Sequence, residues 1–160
     1  MSEVLEDLDR NLKEQVAYYT ELNGLEIGKQ KALIENDIQK IDEFTAREEQ
    51  LLLVANRLEE DRLLFTKQIA SVLGLETKDL TLAVLANRFP VLQGVRLELE
   101  KEVRELQKIH RLNTQLLKQS MKIVEFTIGL FTYQGSHTYS HPQQKIQDTN
   151  KVLHFLDRRI

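Results

Sequence analysis

Pro90 to Thr132, PVLQGVRLELEKEVRELQKIHRLNTQLLKQSMKIVEFTIGLFT, decides the fold. Apolar residues recur at Leu92, Val95, Leu99, Val103, Leu106 and Ile109, then at Leu116 or Leu117, Met121, Val124, Ile128 and Phe131. The steps are threes and fours, with one gap where Leu112 and Asn113 fall. Side chains at that spacing form one stripe along one helix. Arg96, Glu98, Lys101, Arg104, Lys108, Arg111 and Lys118 take the rest of the surface. Pro90 suits the first turn, where its missing N–H has no partner to lose. A rod of about 40 residues spans about 60 Å at 1.5 Å per residue. It cannot bury its stripe alone, so the rest of the chain is expected to supply partner helices of similar length.

The flanking sequence supplies them. Leu5, Leu8, Leu12, Val16, Tyr19, Leu22, Ile27, Leu33 and Ile34 predict a first helix over residues 3–35. Ser2 is its expected N-cap, with Glu3, Glu6 and Asp7 at the positive end of the helix dipole. Gly24 and Gly28 lie inside this run, and mark either the close approach of another helix or a kink. Asn36 and Asp37 break the pattern, and either can cap the next helix. So short a break predicts an antiparallel hairpin. The second helix runs from Ile38 to about Val72, and Gly74 ends it. Glu43 is placed to pair with Arg47 one turn on. Leu75 to Asn87 is a connector in which Thr77 caps a short helix over Leu80, Leu82, Val84 and Leu85.

After Phe131 the character changes. TYQGSHTYSHPQQ, Thr132 to Gln144, has Gly135, Pro142 and no aliphatic residue, and reads as a linker. In the segment from Lys145 to Ile160, Ile146, Thr149, Leu153, Leu156 and Ile160 share one side of a helix, flanked by Val152, with Phe155 opposite. So short a helix is marginal alone and needs a surface. It either closes the bundle as a fourth helix or docks on a partner. The expected fold is all-α: an antiparallel bundle of three long helices over residues 1–132, with a short connecting helix. Residues 133–160 form a flexible linker and a mobile amphipathic C-terminal helix.

Composition narrows the function. The chain has 160 residues, no Cys and a net charge of −3. Disulfides and thiolate zinc sites are excluded. The charge balance makes no case for nucleic acid or an anionic membrane, and charges of both signs mix along the helices. No secretory signal and no membrane span is expected, which fits a cytoplasmic protein. His137 and His141 are four apart, but they sit in the linker with Pro142 following, so no metal site is expected. His110 reads as a polar residue on a helix face and His154 as solvated. Asn113 either fixes the register of a buried seam or faces water. There is no nucleophile elbow and no phosphate loop, so neither an enzyme nor a cofactor is expected.

Lys31 to Arg62, KALIENDIQKIDEFTAREEQLLLVANRLEEDR, resembles the helix junction of the FlgN family of flagellar export chaperones: an apolar pair, an Asn-Asp break, spaced aliphatics, then Glu-Gln-Leu-Leu. Leu112-Asn113 with Leu116-Leu117 is similar to the family's third helix, and Phe131 to Gly135 to its exit. Phe155-Leu-Asp-Arg-Arg159 is similar to tails of some members, whereas His110 stands where an amide is expected. The resemblance implies a cytosolic, non-catalytic chaperone. It would bind hook–filament junction proteins of the FlgK and FlgL type, keep them unassembled and deliver them to the flagellar type III export apparatus. In that family the C-terminal region binds substrate. The resemblance therefore assigns the role to Ile146, Val152, Leu153, Phe155, Leu156 and Ile160. The alternative from the residues alone is a structural coiled-coil adaptor that self-associates through its long helices.

Overall fold

The structure, a computed structural model, describes residues 1–132, and side chains as far as residue 130. The expected linker and C-terminal helix of 133–160 lie outside the described residues. The described part is all-helical. Three long helices, α1 (Ser2–Glu35), α2 (Ile38–Leu73) and α4 (Gln93–Thr132), are joined by one tight turn and a longer connector. The connector holds the short helix α3 (Leu82–Arg88), with a 3-10 turn at Thr77–Asp79 before it and another at Pro90–Leu92 after it.

The punctuation of the chain sets these boundaries. At the α1–α2 break both candidate residues are used. Asn36 adopts the left-handed conformation (φ 55°) that closes α1. Asp37 caps α2 by accepting from the Lys40 amide at 3.1 Å. Gly74 ends α2 at φ 67°, where a side chain would be strained. Phe89, kept out of the helical region (φ −124°, ψ 87°) by the proline that follows, turns the chain into Pro90.

Three local expectations are corrected. Met1, not Ser2, occupies the cap position of α1; Ser2 lies in the first turn and donates to Glu6 at 3.1 Å. Thr81, not Thr77, caps the connector helix, accepting from the Val84 amide at 3.3 Å. Thr77 opens the preceding 3-10 turn instead. Arg47 reaches across to Glu21 of α1 at 2.9 Å instead of pairing with Glu43, because that face of α2 lies against α1.

The helix at the centre is α1, not α4. α1 packs along both α2 and α4, which flank it. α2 runs antiparallel to α1: Asn11 meets Leu58, and Lys29 meets Glu48. α4 runs parallel to α1: Asn23 meets Glu102, and Glu26 meets His110 and Asn113. Leu8, Leu12, Gln15, Tyr19, Leu22, Glu26, Lys29 and Leu33 are all buried, at strictly alternating steps of four and three. That seven-residue repeat keeps one seam of α1 facing its partners along its whole length.

Two hydrophobic clusters fill the seam. One joins Leu8 and Leu12 of α1 to Ile69 and Ala70 of α2, Leu85 and Ala86 of α3, Leu92 of the second 3-10 turn and Val95 of α4. The other joins Tyr18, Tyr19 and Leu22 to Leu51, Ala55 and Leu58 of α2 and Val103 and Leu106 of α4. Full burial of a Leu or Ile contributes about 1.5–3 kcal/mol. Gly28 answers one of the two readings for the paired glycines: a Cβ there would meet the Phe44 ring of α2 at 2.5 Å. Gly24 has open space and no such neighbour.

Candidate functional site

Towards the far end of the bundle the core turns polar. Glu26 accepts from His110 Nδ1–H at 3.0 Å, and from Asn113 Nδ2 at 2.5 Å on its carboxylate and 2.8 Å on its main-chain carbonyl. A carboxylate only accepts, so the His110 proton sits on Nδ1. Lys29, one turn along α1, lies 4.0 Å from Glu26 and donates to Glu48 of α2 at 2.9 Å. Glu26, Lys29, His110 and Asn113 are all buried. His110 Nε2, Asn113 Oδ1 and Glu48 Oε1 are buried without a protein partner among the described residues.

The two carboxyls are driven in opposite directions. Burial pushes Glu26 up, but the His110 hydrogen bond, the Lys29 charge and the Asn113 hydrogen bond together outweigh it and hold the group at about 2. Burial also pushes Glu48 up, and the neighbouring Glu26 charge adds to it; Lys29 opposes them only in part, and Glu48 stands at about 7.

This layer is closed to solvent and sits at a helix seam, so its chemistry is that of alignment. Asn113 takes both the side chain and the main chain of Glu26, which selects the register reading for that residue. Two further amides work the same way. Asn11 donates to the Leu58 carbonyl of α2 at 2.9 Å, and Asn23 to the Glu102 carbonyl of α4 at 3.0 Å. Three asparagines thus tie α1 to its neighbours at three levels. A one-turn slip of either neighbour would leave buried amides unpaired. His110, expected on a polar face, belongs to the layer instead. Glu26, Lys29 and Glu48 were not singled out in the sequence at all; their one signal is that Glu26 and Lys29 occupy heptad positions.

Beyond the layer, α4 runs on past the other described helices. The hydrogen bonds join residues 84 and 87 apart, which sets the end of α1 level with about residue 120 of α4. Past that level α4 extends for about 18 Å. Among the described residues its side chains are exposed there: Ile123 is 66 % exposed, Phe126 69 % and Leu130 62 %, with Val124 also exposed. The stripe expected to be buried through Val124 and Ile128 is therefore buried only as far as Leu106, with Ile109, Leu116, Leu117 and Met121 half-buried. Its end is left uncovered by α1 and α2, which stop short.

Nearer the connector, a cleft of about 380 Å³ opens over Gln15 and Tyr19, between Thr66 of α2, Thr81 at the head of α3 and Leu99 of α4. Arg62 in its wall is held by both oxygens of Glu59 at 2.8 Å, so the guanidinium is already matched. The cleft offers apolar surface and hydroxyls.

The residues assigned to partner binding, Ile146, Val152, Leu153, Phe155, Leu156 and Ile160, lie outside the described residues, as do His137 and His141. Among the described residues, no group of three or more His, Asp or Glu side chains is arranged to hold a metal ion. No described helix is long and apolar enough to cross a membrane. The family model described as FlgN protein matches residues 1–146. No curated protein and no solved structure matches the chain.

Proposed function

The chain belongs to the FlgN family of flagellar export chaperones, and from that premise we propose that it binds hook–filament junction proteins of the FlgK and FlgL type in the cytoplasm. It keeps them from assembling early and hands them to the flagellar type III export apparatus, without catalysis. The observation that supports this reading is the bare end of α4. Among the described residues, Ile123, Val124, Phe126 and Leu130 are exposed at the point where the chain passes into the 133–160 segment. A large exposed apolar patch marks an interaction site. The contacts proposed for the cargo are Ile146, Val152, Leu153, Phe155, Leu156 and Ile160. Ile146, Leu153, Leu156 and Ile160 share one side of a segment that would order as it binds, with Val152 flanking them and Phe155 opposite. Coupled ordering of this kind costs about 2–5 kcal/mol or more, which leaves affinity moderate and release feasible.

Co-purification with the organism's junction proteins tests this, using the full chain and a version ending at Thr132. A one-to-one complex with the full chain, lost on truncation while the remaining helices stay folded, is the expected result. Equal binding by both moves the site onto the bundle. Binding by neither rejects the chaperone reading for these cargoes. The bare strip also favours a second reading, a coiled-coil adaptor that self-associates through α4. It predicts a dimer whose formation ignores residues 133–160.

A further inference from the structure

Leu112, Leu116, Ile123, Phe126 and Leu130 share one side of α4, turned away from the side that carries His110 and Asn113 to α1. Leu112, Ile123, Phe126 and Leu130 are exposed, and Leu116 is half-buried. From Leu116 onward the steps are seven, three and four. Leu116, Ile123 and Leu130 are thus seven apart, as are Ile146, Leu153 and Ile160, a spacing that reads the same in either chain direction. Each run therefore covers about 21 Å of helix. Matching seven-residue periods let two helices stay in contact along their length. Between the two runs lie residues 133–144, a stretch that can span up to about 40 Å and contains Gly135 and Pro142, so the chain can double back.

We propose that residues 145–160 fold back as a helix antiparallel to α4 and cover the Leu116–Leu130 strip of their own chain. In this register Ile146 lies beside Leu130, Leu153 beside Ile123 and Ile160 beside Leu116. The three pairs are mutually consistent for antiparallel helices. A second copy of the chain would be the competing occupant. The short connection favours the cis contact, because a tether of this length supplies an effective concentration in the millimolar range. One consequence rests on the function proposed above. A cargo that needs Leu153 and Ile160 must first lift them from α4, so strip and cargo compete for the same residues. The contact itself does not depend on that function, and it is tested without cargo.

The chain has no Cys, so an introduced pair supplies the only thiols. Ile123→Cys with Leu153→Cys is oxidised in the full chain, beside Ile123→Cys with Lys151→Cys, whose second thiol lies on the polar side of the segment. The expected result is an intramolecular disulfide in the first variant, formed at least tenfold faster than in the second. A disulfide-linked dimer as the main product assigns the strip to a second copy and overturns the proposal. Equal rates in the two variants, or no disulfide in either, overturn it as well. Limited proteolysis gives an independent reading, because Ile123 is exposed and its replacement leaves the core intact. Cleavage after Thr132 should accelerate about tenfold in Ile123→Asp; an unchanged rate would count against the contact. Loss of junction-protein binding alone leaves these results untouched, so the two readings fail separately.

Discussion

The two ends of the bundle are built on opposite principles. At the connector end, Leu8 and Leu12 of α1 meet Ile69, Leu85, Leu92 and Val95, and four segments enclose one aliphatic cluster. At the other end the same seam of α1 carries Glu26 and Lys29, which meet Glu48, His110 and Asn113, and beyond them α4 runs past the other described helices. The aliphatic end is non-directional and tolerates small shifts; burial sets its strength. The polar end is directional: buried hydrogen bonds and charges lose much when displaced and gain little over an apolar substitute. Stability is thus concentrated where the chain is closed. Alignment is concentrated where it opens towards the proposed partner surface.

The contrast can be broken most severely at the aliphatic end. Leu12→Ala removes a fully buried side chain and should lower unfolding stability by about 2–5 kcal/mol in urea titration. A loss below 1 kcal/mol would show that this end collapses freely and does not anchor the fold. Asn113→Ala should cost less, about 1–3 kcal/mol, by stripping Glu26 of a buried donor. It should also loosen α4 from α1, seen as faster amide exchange around residues 106–117 with α2 unchanged.

The third test uses pH. Glu26 is held at about 2, below its ordinary 4.5, so the unfolded chain binds more protons between those values and stability rises with pH there. Glu48 is raised to about 7, so between 4.5 and 7 the folded chain binds more protons and stability falls as pH rises. The layer's contribution should therefore peak near pH 4.5. Glu48→Gln should flatten the fall above that value. An identical slope from pH 5 to 7 in the variant would remove Glu48 as its source. The smallest effect belongs to the bare strip. Phe126→Ser should change stability by no more than about 0.5 kcal/mol in the version ending at Thr132.

The same contrast explains what could be read from the residues alone. The aliphatic seam was legible: Leu92, Val95, Val103 and Leu106 are buried as their spacing predicts. So were the Asn36–Asp37 break and the Gly74 stop, because each residue type there has a conformational reason. The polar seam was not. Counting apolar residues along α1 selects Ile27 and Ile34, which are exposed, and passes over Gln15, Glu26 and Lys29, which are buried. A buried charge is tolerable only because of its partner, and the partners of Glu26 lie 84 and 87 residues away. The gap after Ile109 has the same origin. Leu112 turns outward and Asn113 turns in, because a donor for Glu26 is needed at that level. The central place of α1 was hidden for this reason, since its seam is part polar whereas the stripe of α4 is apolar on both sides of its one gap.

The parallel pairing of α1 with α4 also has a consequence in time. A nascent chain leaves the ribosome at about 5–20 residues per second, so His110 follows Glu26 by about 4–17 seconds. The α1–α2 hairpin, whose contacts are closer in sequence, can form within that interval. Until α4 arrives, the hairpin exposes Leu22 and the Glu26 carboxylate along one open groove. Birth of the protein thus includes a stage in which α1 itself waits for a helix to fill it.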